Sequence, residues 1–349
     1  MANAIGLFAQ RHLRKARTVK PLRCLAAGVL ALCLGVLPLA AGAEEASINA
    51  WLMRLHEASR HRTYTGTFVV SAAGKMASAR IWHVCDGDQQ VERVESLSGT
   101  PRATFRRNDE VVTFFPESKV AVTESRESLG LFPNLLKSNA ADIGEQYLMK
   151  PVGNERIAGL DAEIVQLVPK DALRYGYRVW SEKRSGLVVQ LQTLDAEGRV
   201  LEQSAFSELQ LDAPVSKTKL TQMMAATEGY RVERRDLQKT TAKAQGWDMA
   251  KPVPGFKPMG CYTRPVALLA GASGRTEETM QWMFSDGLAT VSLFVEAFDA
   301  RRHTREGATE LGGATRTHTR RLDAWWITAV GEAPATTLAL FVHGLERKK

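Results

Sequence analysis

The sequence predicts an α+β protein: one long, strongly curved antiparallel sheet carrying a single helix, followed by a smaller α+β domain. Three observations point there. One amphipathic helical stretch precedes about ten segments of period-two hydrophobicity, each ended by turn residues. A polar, charged stretch then interrupts the pattern. A second, shorter set of strands follows and closes on a helical repeat.

Taken in order, the first 43 of the 349 residues read as a leader. Arg11, Arg14, Lys15, Arg17, Lys20 and Arg23 make a basic start with no acidic residue. Leu25 to Leu39 is a short apolar run, and Ala41-Gly42-Ala43 offers a small-residue cleavage site before Glu44-Glu45. The expected product is a soluble protein exported by a bacterium, with a retained membrane anchor as the other reading. Without these six positive charges the net charge falls from +8 to +2, which removes the compositional argument for nucleic-acid binding. Two of the four cysteines, Cys24 and Cys33, leave with the leader. Cys85 and Cys261 remain, and in an oxidising compartment they are candidates for one disulfide.

Residues 44–215 form the expected first domain. Ile48, Trp51, Leu52, Leu55 and Ala58 fall on one helical stripe over 47–61, with Ser47 as N-cap. Strands are expected at 64–70, 76–84, 91–97, 102–107, 110–115 and 119–123. The alternation breaks between 124 and 146, and strands resume at 147–152, 162–169, 174–181, 187–195 and 200–211. Gly153-Asn154, Lys170-Asp171, 183–186 and 196–198 are the expected turns. A helix followed by sequential strands suits a curved sheet with the helix on its concave side. A sandwich and a half-open barrel both fit the strand lengths.

Residues 216–245 are polar and read as a linker, partly helical. Residues 246–349 read as the second domain. Pro252, Pro254 and Pro258 open it, strands are expected at 278–284, 290–298 and 324–330, and Leu338, Phe341, Val342 and Leu345 repeat at helical spacing over 334–347.

The chemistry is sparse. His56, His61, His83, His303, His318 and His343 are scattered, and His56 and His61 are not at the i, i+4 spacing of a zinc pair. There is no nucleophile elbow, P-loop or dinucleotide fingerprint. No catalytic residue, metal or cofactor is expected, and binding is favoured over catalysis. Phe68, Val70, Trp82, Phe105, Phe114, Tyr147, Tyr177, Trp180 and Leu191 alternate along the strands. They are either ordinary core or the wall of a pocket for acyl chains. Arg301, Arg302, Arg305, Arg316, Arg320 and Arg321 bracket a glycine-rich connection. They are either a solvated hairpin or a contact for an acidic partner or lipid phosphate.

Several stretches in their order resemble the periplasmic sigma-E regulators of the RseB/MucB family. They are Tyr64-Thr65-Gly66, Glu155 to Gly159, Arg174 to Trp180, Ser185-Gly186-Leu187, Asp195 to Gly198 with Leu201-Glu202-Gln203, Pro254-Gly255-Phe256, Ser285-Asp286-Gly287 and Val330-Gly331-Glu332. The resemblance spans residues 47 to 349. It implies a LolA-like half-barrel with a lipid-sized cavity, and a partner in the periplasmic part of a single-pass anti-sigma factor. It further implies protection of that partner from proteolysis, and release by lipopolysaccharide or lipoprotein acyl chains. A lipid carrier without signalling role and a hydrolase with dispersed catalytic residues are the other two readings. Self-association is left open.

Overall fold

The computed structural model describes residues 39–87, 89–125, 132–133, 135–136, 143–235, 237–266 and 277–348. The expected leader lies outside the described residues up to position 38. From Ala40 to Lys349 the chain is one compact unit. No helix among the described residues is long and apolar enough to cross a membrane.

Helix α1 (Leu39–His61) begins before the expected Ser47 cap. Its Ile48, Leu52, Leu55 and Ala58, spaced four, three and three residues apart, are all buried. Six antiparallel strands follow: β1 (Tyr64–Ala72), β2 (Lys75–Asp86), β3 (Gln89–Ser96), β4 (Ala103–Arg107), β5 (Glu110–Phe115) and β6 (Val120–Ser125). After the short α2 (Ile143–Gln146) come β7 (Tyr147–Ile157), β8 (Leu160–Pro169), β9 (Gly176–Glu182), β10 (Val188–Leu194) and β11 (Val200–Leu211). In space β1 lies between β2 and β11, so the chain's first strand joins two meanders into one sheet.

Side chains from α1, from β1 and β2, and from the distant β8 and β9 share one buried cluster. A flat sheet cannot bring strands that far apart onto one helix, so the sheet curls around α1. Phe132, Leu135 and Leu136 lie in the same cluster and fill the concave side further.

Two expectations are corrected. The turn after β7 is not Gly153-Asn154. Strand β7 runs on to Ile157 with a register shift between Pro151 and Gly153, and the chain reverses at Ala158-Gly159. Both residues there have positive φ, +49° and +80°. A two-residue hairpin loop demands that left-handed pair, and the sheet twist selects it. The second correction concerns the expected linker, which is built into the structure. Ser216 caps α3 (Lys217–Ala225), its Oγ accepting from the Lys219 N–H at 3.2 Å. Leu220 and Met224, one helical turn apart, pack on the convex face of the sheet, against Val84 and Val91 and against Phe105, Val112, Phe114 and Ala121 respectively. Strand β12 (Arg231–Arg235) then pairs parallel with β6, and β13 (Gln238–Thr240) pairs with a strand of the second sheet.

The second domain adds β14 (Trp247–Met249), β15 (Lys257–Val266), β16 (Glu277–Ser285), β17 (Thr290–Ala297), β18 (Gly307–Gly312), β19 (Thr315–Leu322), β20 (Trp325–Gly331), α4 (Ala335–Gly344) and β21 (Leu345–Arg347). The sheet runs β13-β15-β16-β17-β20-β19-β18, and β14 pairs with β21. Leu338, Phe341 and Val342 of α4 are fully buried with Phe284, Val291, Leu293, Ile327 and Ala329 in one cluster. The arginine-rich stretch is thus a hairpin of two real strands. Their threonines and arginines are half exposed, which hid them from a hydrophobic pattern.

Candidate functional site

The most specific constellation lies where the two sheets meet. It is built on the tight turn between β16 and β17. Asp286 organises that turn by itself: its Oδ1 accepts from the N–H groups of Leu288 (3.0 Å) and Ala289 (2.8 Å). Its Oδ2 faces the first domain. There it accepts from Arg174 Nη1 at 2.9 Å and from the Tyr147 hydroxyl at 3.0 Å. The Arg174 and Asp286 side chains are both 0% exposed.

The rest of the guanidinium is satisfied too. Nε and Nη2 form a two-pronged contact with Asp171 (2.9 and 3.0 Å), and Nη2 also donates to the Pro254 carbonyl at 2.9 Å. Burial works against the Arg174 charge, but Asp171 and Asp286 outweigh it and hold the pKa above its ordinary value. Burial first, then the Asp286 charge, pushes the Tyr147 phenol well up, so Tyr147 stays a donor. Phe256 lies under the guanidinium at 5.2 Å. Gly255 is obligatory beside it. Its φ is +76°, and a Cβ would stand 2.5 Å from Gln146 Oε1 and 2.6 Å from Arg174 Nη2.

Apolar contacts complete the seam. Leu288, at the tip of the second domain's turn, belongs to the first domain's core cluster. Thr337 at the start of α4 donates to the Leu173 carbonyl at 2.8 Å. This arrangement docks one domain on the other; it holds no group set up for bond-making. Beside it runs a cleft of about 540 Å³, bounded by Val168, Tyr175, Leu194, Arg199, Arg316 and Pro334 among others. Among the described residues no cluster of three or more metal-ligating side chains occurs.

The nine expected pocket residues do not share one wall. Phe68, Tyr147, Tyr177 and Trp180 are in the cluster that includes α1, and Val70 and Leu191 pack against it. Within β9, alternation sets Trp180 opposite Tyr177, and its indole N–H is bound to Glu155 Oε2 at 2.7 Å. Phe105 and Phe114 sit instead under α3 on the convex face. Trp82 is there as well, with the Arg93 guanidinium 4.6 Å from its ring. Alternation within one strand assigns residues to two faces; the register between strands decides which face is concave.

The expected arginine patch is divided too. Arg301 pairs with Asp299 at 3.2 Å, and Arg302 with Glu296 at 3.3 Å. Hydrogen bonding from Arg301 brings the Asp299 carboxyl down to about 2. Arg316 is held by Glu310 and the Gly313 carbonyl, and Arg320 reaches the Val342 carbonyl at 3.2 Å. Arg321 lies 3.8 Å from the Phe298 ring centre. Of the five, Arg316 alone borders the cleft. The two cysteines stand apart. Cys261 is buried in the second domain's core, Cys85 is part-exposed at the end of β2, and both are thiols with no bridge between them. Arg174 and Asp286 carried no role in the sequence reading. Their only signal was that both fall within the stretches that carry the family resemblance.

A curved sheet wrapped on its own helix and locked by a buried ion pair to a second sheet defines a protein of two docked domains. Family comparison agrees. The MucB/RseB N-terminal domain model matches residues 47–224 and the MucB/RseB C-terminal domain model matches residues 241–346. The chain belongs to the MucB/RseB family.

Among curated relatives, the sigma factor AlgU regulatory protein MucB of Pseudomonas aeruginosa is 27% identical over 320 residues, covering 88% of this chain and 93% of the relative. The sigma-E factor regulatory protein RseB of Haemophilus influenzae is 25% identical, covering 87% and 92%. Both are named as regulators. Among solved structures, the MucA/MucB complex of Pseudomonas aeruginosa superposes with a TM-score of 0.66 at 23% identity, covering 87% of this chain and 99% of the other. A second structure, of MucB with the periplasmic part of MucA, gives 0.63 at 23% identity, over 86% and 99%. At that identity the likeness establishes the fold.

Proposed function

We propose that this protein is a periplasmic negative regulator of an envelope-stress sigma factor, acting by binding the periplasmic part of a membrane-anchored anti-sigma factor. The observation that carries the reading is the match of both family domain models, in order, across residues 47–346. The relatives' names supply the regulated class, and the MucA complexes of MucB supply the kind of partner. Binding shields the partner from its first protease, and a lipid or lipoprotein acyl chain releases it.

The acyl chain's place is the concave face. Phe68, Val70, Tyr147, Tyr177 and Leu191 face or border that core, where α1, Phe132, Leu135 and Leu136 now lie. An incoming chain therefore displaces side chains rather than entering an empty tube, gaining about 0.8 kcal/mol per buried CH₂. Arg301, Arg302, Arg316, Arg320 and Arg321 remain candidate contacts for acidic partner residues, with Arg316 the best placed beside the cleft.

The test is calorimetric titration of the protein with the anti-sigma periplasmic segment, at zero and saturating lipid A. Binding that weakens roughly 5–150-fold with lipid supports the switch, and lipid binding must weaken by the same factor with partner. Binding unaffected by lipid removes the lipid signal. Failure to bind the segment at all leaves the carrier reading.

A further inference from the structure

The turn at the end of β2 brings together three side chains that the regulatory reading does not use. Strand β1 pairs with β2 so that Tyr64 stands opposite His83. The end of β2 therefore arrives beside the last turn of α1. There Glu57 and His61, one helical turn apart, form an ion pair, His61 Nε2 to Glu57 Oε2 at 3.1 Å. The other ring nitrogen, His61 Nδ1, lies 3.7 Å from Cys85 Sγ. The thiol has a second acceptor in the Gly87 carbonyl at 3.2 Å.

The order of contacts is what matters. A carboxylate on Nε2 places the ring proton there and leaves the Nδ1 lone pair facing the sulfur. A nucleophile, a base within reach and a group that orients the base are thereby aligned on two elements. Cys261 supplies the contrast. It is buried in the second domain's core, and burial pushes its thiol up to about 11. One cysteine is thus placed to react and the other is kept inert by the same fold.

We propose that Cys85 is a thiol–disulfide exchange site that takes small exogenous disulfides, with His61 as proton acceptor and Glu57 as the residue that positions it. In the exchange the Cys85 proton passes to His61 Nδ1 and the thiolate attacks one sulfur of the disulfide. The new protein–ligand S–S bond forms as the old S–S bond breaks. The departing thiolate then recovers the proton from His61. Cys85 is oxidised, one half of the disulfide is reduced to a thiol, and no further oxidant is needed. The site is independent of the proposed regulatory function, since it requires only contact with a disulfide.

The experiment uses the purified protein and oxidised glutathione, with acid quenching and peptide mapping by mass spectrometry. Mapping separates Cys85 from Cys261 and from Cys24 and Cys33. The expected result is a glutathione adduct on Cys85 under native conditions, and on Cys261 only after denaturation. Accessibility alone would also favour Cys85, so His61→Gln decides. A partner that raises the thiolate fraction tenfold speeds exchange by only about threefold, because a more stable thiolate is a weaker nucleophile. The variant should therefore react at least about threefold more slowly with an unchanged melting temperature. Glu57→Gln, on the exposed face of α1, should slow it less, and it serves as the second probe if His61→Gln does not fold. An unreactive Cys85, or equal rates in wild type and the folded variants, overturns the proposal.

Discussion

Replacing Asp286 with alanine tests whether the seam is one cooperative device. The change removes the acceptor for Arg174 Nη1 and for the Tyr147 hydroxyl, and unties the Leu288 and Ala289 N–H groups from the turn. Breaking a buried ion pair from one side costs about 3–5 kcal/mol, because a charge is left without compensation. Asp171 still holds Arg174 through Nε and Nη2, so the lower end applies, about 3 kcal/mol. For a chain of this size that corresponds to a fall in melting temperature of about 4–5 °C.

Calorimetry should also show the single transition separating into two, because Asp286 and Leu288 join the domains. The double-mutant cycle sharpens the result. In an Arg174→Met background the loss of Asp286 should cost much less, since no buried cation remains to be stranded. If Asp286→Ala melts within 1 °C of wild type as a single transition, or if the two substitutions are additive, the seam is not the lock described here.

Three further outcomes follow from other positions. Leu288→Ala should lower stability by about 2–5 kcal/mol, as for other core leucines, although the residue is in a turn of the other domain; urea titration measures it. Gly66→Ala should cost about 1–3 kcal/mol or more, because its Cβ would stand 2.6 Å from the Glu208 carbonyl oxygen and 2.8 Å from the Phe206 ring. His83 should make the protein acid-sensitive. Burial pushes its pKa down, against the opposing Glu92 charge, and its Nδ1 is committed to the Arg62 carbonyl at 2.8 Å. The unfolded chain takes up the proton first, so stability is held above pH ~6.5 and falls below it, by up to about 1.4 kcal/mol per pH unit. Urea midpoints from pH 7.5 to 5 should flatten in His83→Gln, and a slope equal to wild type would acquit His83.

Much of the first sheet is legible in the sequence because period-two runs and turn residues are local signals. The strand at 110–115 and the strand at 200–211 are found as expected. Positions where a pattern competes with another demand are less legible. Gly153-Asn154 has turn chemistry, but the left-handed pair at Ala158-Gly159 sets the reversal. In 216–245 the charged residues conceal Leu220 and Met224, whose spacing alone announces a packed helix. The face assignment of Trp82, Phe105 and Phe114 depends on register with neighbours far away in sequence, and no single-strand pattern contains it. The seam was illegible for the same reason. Arg174 and Asp286 are 112 residues apart; Arg174 opens an expected strand, Asp286 falls between two others, and nothing local pairs them.

The segment from β12 to β13 closes an open flank on each sheet. Strand β12 covers β6 at one end of the first sheet, and a few residues later β13 covers β15 at one end of the second. A fragment ending near residue 224, where the first family domain ends, would leave β6 bare. A fragment starting near 241 would leave β15 bare. Bare strand edges are templates for pairing with other chains. The two halves of this protein are thus interdependent for solubility, each edge guarded by residues outside its own domain, and a single protease cut between Arg235 and Gln238 would loosen both guards together.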